Sequence, residues 1–327
     1  MKEIMISGNE AGQRLDKFLA KYMDQAPKGF FYKMLRKKNI TLNGHRAAGN
    51  EILAENDSLK LFLSDETMEK FSGRKEERQY SGKELSVLYE DSDILLLNKP
   101  AGMLTQKSSQ KEDSAAEYLV SRMLRDGSLK KEELRTFRPS PCNRLDRNTS
   151  GMVLCGKSLA GLQFLSEMIR DRKVRKTYLA AVAGNFEKAF EEKVYFTKDA
   201  SKNRVLITDS QTPESEEMIT AFEPVFHRDD CSLLKAELIT GKPHQIRAHL
   251  SYRNYPVLGD PKYGDPGINR EMKERYGLTR QMLHSWRIEF PELSGRWSYL
   301  SGKHFTAPPP QDFLSLLKAL GFKEFHD

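Results

Sequence analysis

The chain lacks the features that would place it outside the ordinary globular classes. It has three cysteines in 327 residues, Cys142, Cys155 and Cys231. Their odd number, wide spacing and lack of any C-x-x-C pair argue against both a disulfide framework and a zinc site, so they read as reduced, buried thiols. No apolar run approaches the roughly eighteen residues that a membrane span needs. The opening Met1-Lys2-Glu3-Ile4 has no apolar core of a secretion signal, and the expectation is a cytosolic chain. Internal repeats and low-complexity tracts are missing. Neither a phosphate-cradling G-x-x-x-x-G-K-[ST] nor a dinucleotide fingerprint occurs. What is present, 38% hydrophobic and 30% charged residues, fits a folded chain rather than a disordered one. The length allows two domains, or one large domain with a small appendage, and either could bury a sizeable core.

The net charge of +7 is unevenly placed. Between Arg14 and Arg46 there are nine Lys or Arg and two acids, so this stretch alone carries the whole surplus. A local concentration of this kind is the footprint of a phosphate-binding surface, although a solvated basic face has the same composition. Within it, Leu15, Phe18, Leu19 and Tyr22 recur at helical spacing, with Lys17 and Lys21 on the opposite face. A second helix is predicted over Gly29–Lys38, with Phe30, Met34 and Leu35 inward and Arg36-Lys37-Lys38 at its C-terminal end, where cations suit the helix dipole. A short strand, Ile40-Thr41-Leu42, then meets the turn Asn43-Gly44. This order resembles the alpha-L RNA-binding motif, which makes residues 1–63 an RNA-binding domain of small α/β type. The resemblance implies phosphate contacts from Arg14, Lys17, Lys33, Arg36, Lys37 and Lys38.

Residues 64–83 alternate charges with few apolar residues and read as a flexible linker. From 84 to 327 the pattern becomes strongly apolar. Val87-Leu88-Tyr89 and Ile94-Leu95-Leu96-Leu97 flank the turn residues Asp91-Ser92-Asp93 as a hairpin would. Ser114-Ala115-Ala116-Glu117 is a capping box, Ser158–Ile169 a helix, Thr177–Val182 and Leu233–Ile239 strands, and Phe313–Leu320 a closing helix. Irregular mixing of the two types predicts an α+β fold with a mainly antiparallel mixed sheet and flanking helices.

Arg144-Leu145-Asp146 followed by Thr149-Ser150-Gly151 is, taken alone, a turn with an acid beside it. It resembles the H-R-L-D-x-x-T-S-G segment of the RluA-type RNA pseudouridine synthases, with Asn143 in place of the histidine. Other landmarks of that family follow in order: Asn98-Lys99-Pro100-Ala101-Gly102, Arg175-Lys176-Thr177-Tyr178, Thr240-Gly241-Lys242-Pro243-His244-Gln245-Ile246-Arg247-Ala248-His249, Gly259-Asp260-Pro261-Lys262-Tyr263-Gly264 and Leu283-His284. The resemblance implies isomerisation of uridine to pseudouridine in structured RNA, with Asp146 as catalytic carboxylate, Arg247 as its cationic partner, and Tyr178 as stacking plate and proton acceptor. It further implies that Arg144 fills the space left by a flipped uridine or grips the flanking phosphate. Arg172, Lys173, Arg175 and Lys176, just before Tyr178, would line the RNA approach. The reaction is redox-neutral, so no cofactor is expected. His244 and His249 lack metal-site spacing and read as hydrogen-bonded histidines rather than ligands. Family members with an alpha-L domain commonly act on large-subunit ribosomal RNA, which is preferred here over transfer RNA; no protein partner is evident and a monomer is expected. Two other classes compete. An RNA-binding protein that has lost activity would be expected to lack one of the three site residues, and a glycoside hydrolase needs a second site carboxylate.

Overall fold

A computed structural model describes residues 1–71, 73, 80–107, 112–199, 201 and 204–322. In the N-terminal unit the predicted helix forms as Leu15–Tyr22 and buries Leu15, Phe18, Leu19 and Tyr22. The second helix, Lys28–Arg36, buries Phe31, Met34 and Leu35. Phe31 was not foreseen: it lies three and four residues before Met34 and Leu35, the spacing that keeps side chains on one helical face. Phe30, expected inside, is only half-buried and packs on Phe71, with ring centroids 4.6 Å apart. Lys38 (φ 58°) reverses the chain into the strand Ile40–Leu42. Asn43 and Gly44, at φ 51° and 77°, then make the tight hairpin that demands positive φ at both central residues. The strand Lys2–Met5, outside the pattern read from the sequence, pairs antiparallel with Ser58–Leu61 and completes a four-stranded sheet.

Part of the stretch read as a flexible linker is helical. Asp65–Phe71 forms one, begun by the Ser64 hydroxyl accepting from Thr67 N, and its Met68 and Phe71 pack on the small unit's core. Two apolar residues three apart suffice for so short a helix, and the surrounding charges hid them. Residues 72 and 74–79 of that stretch lie outside the described ones. The small unit touches the rest of the chain where Thr136 Oγ1 donates to Glu10 Oε1 at 2.5 Å, Leu159 N donates to Asn9 Oδ1, and the Arg135 guanidinium lies 5.5 Å from the Tyr22 ring centre.

The larger unit is built on an eleven-stranded sheet. Its main path runs Arg204–Thr208, Phe190–Asp199, Glu216–His227, Cys231–Leu238, Arg175–Ala183, Leu283–Glu289, Ser150–Gly156, Ile94–Lys99 and Ser86–Glu90. All neighbours are antiparallel except Leu283–Glu289 beside Ser150–Gly156, the mainly antiparallel mixed sheet that was expected. The strand Arg175–Ala183 explains the continuous apolar run in its sequence. Alternation sends Tyr178, Ala180 and Val182 into one core and Leu179, Ala181 and Ala183 into another, so both faces of the sheet are covered. Helix Ala115–Arg125 is capped by Ser114, whose hydroxyl bonds Glu117, as the capping box predicts. Helix Leu159–Arg170 is capped by Ser158, and it buries Phe164 and Met168 as well as Leu165.

Candidate active site

The site is assembled at the middle of this sheet from a loop, a strand and the first turn of a helix. The loop is residues 143–149, between the short strand Ser140–Pro141 and Ser150–Gly156. Its path is set by fixed partners rather than by its own turn propensity. The Thr105 hydroxyl accepts from Leu145 N and donates to Leu145 O, both at 3.0 Å. Arg147 O accepts from Gly102 N at 2.9 Å and from Lys99 Nζ at 3.2 Å. Lys99 is fully buried and also donates to the carbonyls of Pro100 and Met103. Burial pulls its ammonium down to about 7, against the opposing attraction of Asp146. The N-K-P-A-G turn therefore serves to hold the loop that carries Asp146. Behind the loop, Gly151 (φ 110°) lies against the neighbouring strand; a Cβ there would sit 2.2 Å from Ser285 O, so only glycine fits.

Asn143 lies at the start of the same loop. Its Nδ2 donates to Met152 O at 3.2 Å and its Oδ1 accepts from Leu154 N at 2.8 Å. Both ends of the amide are thus committed to the strand backbone, which is a positioning role. Asn143→Ala should lower stability by about 1–3 kcal/mol, since it leaves a strand N–H and C=O without these partners. A thermal melt checks this, and an unchanged midpoint would show that the amide does not hold the loop.

Asp146 is the partly exposed end of a chain of two ion pairs, Asp146–Arg247–Asp260. Arg247 Nη1 donates to its Oδ2 at 2.6 Å. Arg247 stands in the first turn of helix Gln245–Tyr252, and its Nε and Nη2 donate to the two oxygens of Asp260 at 2.6 and 2.8 Å. This planar two-point grip leaves the guanidinium little freedom to rotate. The Asp260 side chain is wholly buried and also accepts from Lys262 N and Tyr263 N. Burial alone would raise its carboxyl, but the hydrogen bonds and charge of Arg247 and the two backbone donors outweigh it and hold the pKa below the usual range. For Arg247, burial pushes down while Asp260 and Asp146 push harder upward, so it stays charged. Tyr178 is 6% exposed, and burial, reinforced by the Asp146 charge, lifts its phenol to about 12. Arg144, Asp146, Tyr178, His244 and Arg247 share a small open cleft of about 60 Å³. A roomier cavity of about 520 Å³ opens elsewhere, among Arg175, Thr177, Phe190, Lys235 and Trp286. Its two arginines are paired, Arg175 with Glu237 and Arg287 with Glu289, and it contains none of the three residues expected to carry the chemistry.

Residues 93–252 match the family described as RNA pseudouridylate synthase. The ribosomal large subunit pseudouridine synthase C of Pasteurella multocida is 32% identical over 301 residues, which cover 89% of this chain and 86% of that protein. The chain belongs to the RNA pseudouridylate synthase family. The protein of the same name from Escherichia coli K12 is 30% identical over 305 residues, covering 89% of this chain and 88% of the relative. Among solved structures, human RNA pseudouridylate synthase domain containing 4 shares the fold, with a TM-score of 0.58 at 19% identity over 73% of this chain and 94% of that one.

As an RNA pseudouridine synthase the chain is an isomerase, and the family match encloses Asp146, Tyr178 and Arg247, which the fold brings to one cleft. Asp260 lies beyond the end of the match. It belonged to a recognised landmark, but nothing in that segment said that it would grip Arg247. Thr105 carried no sequence signal at all. His249 is a fully buried structural histidine bonded to Glu192 and Thr220, whereas His244 faces the cleft. Of the cations expected to meet RNA, Arg144, Lys17, Lys33, Arg36, Lys37, Lys38, Arg172 and Lys173 are exposed. Arg14 is engaged by Asp16, and Arg175 by Glu237 at 2.7 Å. Lys176 departs from the expectation. It is 6% exposed, and burial lowers its pKa, so this synthase does not offer it as a surface phosphate ligand.

Proposed function

We propose that this chain isomerises specific uridines in large-subunit ribosomal RNA, in the cytosol, with Asp146 acting at the sugar. The observation that carries the reading is the Asp146 carboxylate, partly exposed at the cleft and 2.6 Å from a guanidinium that Asp260 fixes from behind. Isomerisation requires the N-glycosidic bond to break, the uracil to turn, and its carbon five to join the ribose. A carboxylate serves this either by attacking the anomeric carbon or by removing a proton from the neighbouring ribose carbon. Both routes need the carboxylate held at the sugar, and Arg247 Nη1, donating to Oδ2 at 2.6 Å, orients it. Tyr178 is suited to stack on the base. With its phenol near 12, phenolate is scarce at neutral pH, which favours the plate over the proton acceptor. The cleft is open to solvent, so the RNA itself would close the outer wall, with Arg144 at the rim to occupy the vacated stack. Both curated relatives described above are named for the large ribosomal subunit, which supports that substrate over transfer RNA.

Pseudouridine mapping of total RNA from cells with and without the gene tests the proposal. Loss of signal at a large-subunit uridine is the expected result; loss only in transfer RNA would overturn the substrate, and no loss anywhere would overturn the activity. The exposed cations Lys33, Arg36, Lys37 and Lys38 are proposed to bind phosphate. Changing all four to alanine should make the log–log salt slope of RNA affinity shallower by up to about 3, at about 0.7 per phosphate of single-stranded RNA. An unchanged slope would mean that this surface stays off the RNA.

A further inference from the structure

His244 faces the cleft beside Asp146 without a task so far. Its backbone is in the left-handed region (φ 52°), an uncommon conformation for a residue other than glycine, immediately before the helix that carries Arg247. Its Nδ1 is 2.9 Å from Tyr263 Oη, and its Nε2 is 3.9 Å from Asp146 Oδ1.

The hydrogen-bond network is the basis for assigning the ring proton. A tyrosine hydroxyl has one proton to give and can also accept. Tyr263 is 6% exposed, and its oxygen already accepts from Val205 N at 2.8 Å. Among the described residues no acceptor other than His244 Nδ1 meets it. With Val205 N–H already on its oxygen, the Tyr263 hydroxyl is assigned as donor to Nδ1, which makes that nitrogen the unprotonated one. The guanidinium carbons of Arg204 and Arg247 lie 5.1 and 5.2 Å from the centre of the tyrosine ring. Burial, with Arg247 and Lys262 adding to it, outweighs the carboxylates of Asp146 and Asp260 and keeps the imidazole neutral. The remaining proton is then on Nε2, on the side of Asp146.

A gap of 3.9 Å is too long for a direct hydrogen bond and suits one intervening oxygen. Two bonds of about 2.8 Å meeting near a right angle span about that distance. The oxygen must accept from Nε2–H and donate to the carboxylate, and a hydroxyl group does both. Resting on the reading of Asp146 as the group at the sugar, we propose that His244 and Asp146 hold the 2′-hydroxyl of the target ribose between them. The site thereby selects ribose over 2′-deoxyribose at the reacting nucleotide.

The test uses the full chain and a synthetic RNA oligonucleotide spanning the mapped uridine, made with ribose or with 2′-deoxyribose at that single position. Wild type, His244→Ala and His244→Gln are compared in single-turnover pseudouridine formation. The deoxy target should slow the wild type by about tenfold or more, and His244→Ala should slow the ribose target by a similar factor. On the deoxy target His244→Ala should lose less than about threefold more, because its lost donor had nothing left to hold. His244→Gln, whose amide N–H reaches the same gap, should recover most of the ribose rate. Equal slowing of both targets by His244→Ala would assign the histidine a purely structural role and overturn the proposal. So would a wild type indifferent to the sugar, the result expected if a water fills the gap. Where the deoxy target does not turn over at all, the same comparison is read in equilibrium affinity. A wild type that makes no pseudouridine on the ribose target would instead overturn the activity reading, and this proposal with it.

Discussion

Replacement of Asp146 by asparagine is expected to remove at least about 10³-fold of the rate of pseudouridine formation while changing RNA affinity only a few-fold. The amide keeps the size of the side chain and can still accept from Arg247, but it neither attacks an anomeric carbon nor takes a proton near neutral pH. Affinity should survive, because phosphate contacts spread over the basic surface outweigh any one group in the cleft. Single-turnover assays beside filter-binding measurements separate the two effects. Near-normal turnover would end the assignment of Asp146. An equal collapse of rate and affinity would mean that the substitution disturbs the loop rather than the chemistry. The experiment also distinguishes the competing classes. An RNA-binding protein without activity would show no turnover to lose. A glycoside hydrolase would release free uracil; it requires a second carboxylate, and the other one in this network, Asp260, is wholly buried and bound to Arg247.

The second large effect is expected at Asp260. Its two oxygens accept from Arg247 Nε and Nη2 and from the backbone N–H groups of Lys262 and Tyr263. Asp260→Asn removes the charge and turns an NH2 group toward one set of those donors. Arg247, 6% exposed, is left a buried cation with only the partly exposed Asp146 to balance it. Loss of one partner from a buried pair costs about 3–5 kcal/mol, which urea titration should reveal as a lower midpoint. Displacement of the guanidinium that orients Asp146 should also reduce turnover by about 10²-fold. The pH dependence follows from the depressed carboxyl of Asp260. Its contribution to stability is complete above the unfolded value of about 3.9 and is lost as pH falls toward the folded one. Wild type should therefore lose stability in acid more steeply than Asp260→Asn. Parallel acid profiles would show that the pair carries no such energy.

Much of the candidate site was legible in the sequence because its motifs are short, contiguous and written in residue types of restricted use. A carboxylate beside Thr-Ser-Gly, a tyrosine within an apolar run and an arginine between two histidines each stand out locally. The helix at Leu15–Tyr22, the Asn43-Gly44 hairpin and the Ser114 cap were equally readable, since each follows from spacing or turn chemistry within a few residues. Errors arose where the deciding contact was remote. Phe31 displaced Phe30 because the direction of burial depends on what lies across the interface. The helix Asp65–Phe71 formed because Met68 and Phe71 found a core that the charge pattern did not announce. Lys176 read as a phosphate ligand by its neighbours in sequence, and the pairing of its strand buried it.

By itself, then, the sequence determined the family and the mainly antiparallel α+β architecture, and it singled out three residues that the fold brings to one cleft, since these depend on local pattern and on motif order. Only the tertiary structure decided that Asp260 would hold Arg247, that Lys99 and Thr105 would fix the Asp146 loop, that Asn143 would be spent on the strand backbone, and that His244 would stand against the Tyr263 hydroxyl. Each of these is a hydrogen bond that closes only when segments distant in the chain are packed together. A donor alone does not announce its acceptor, because the residue types that satisfy it are many and the chain between them leaves no trace of their meeting.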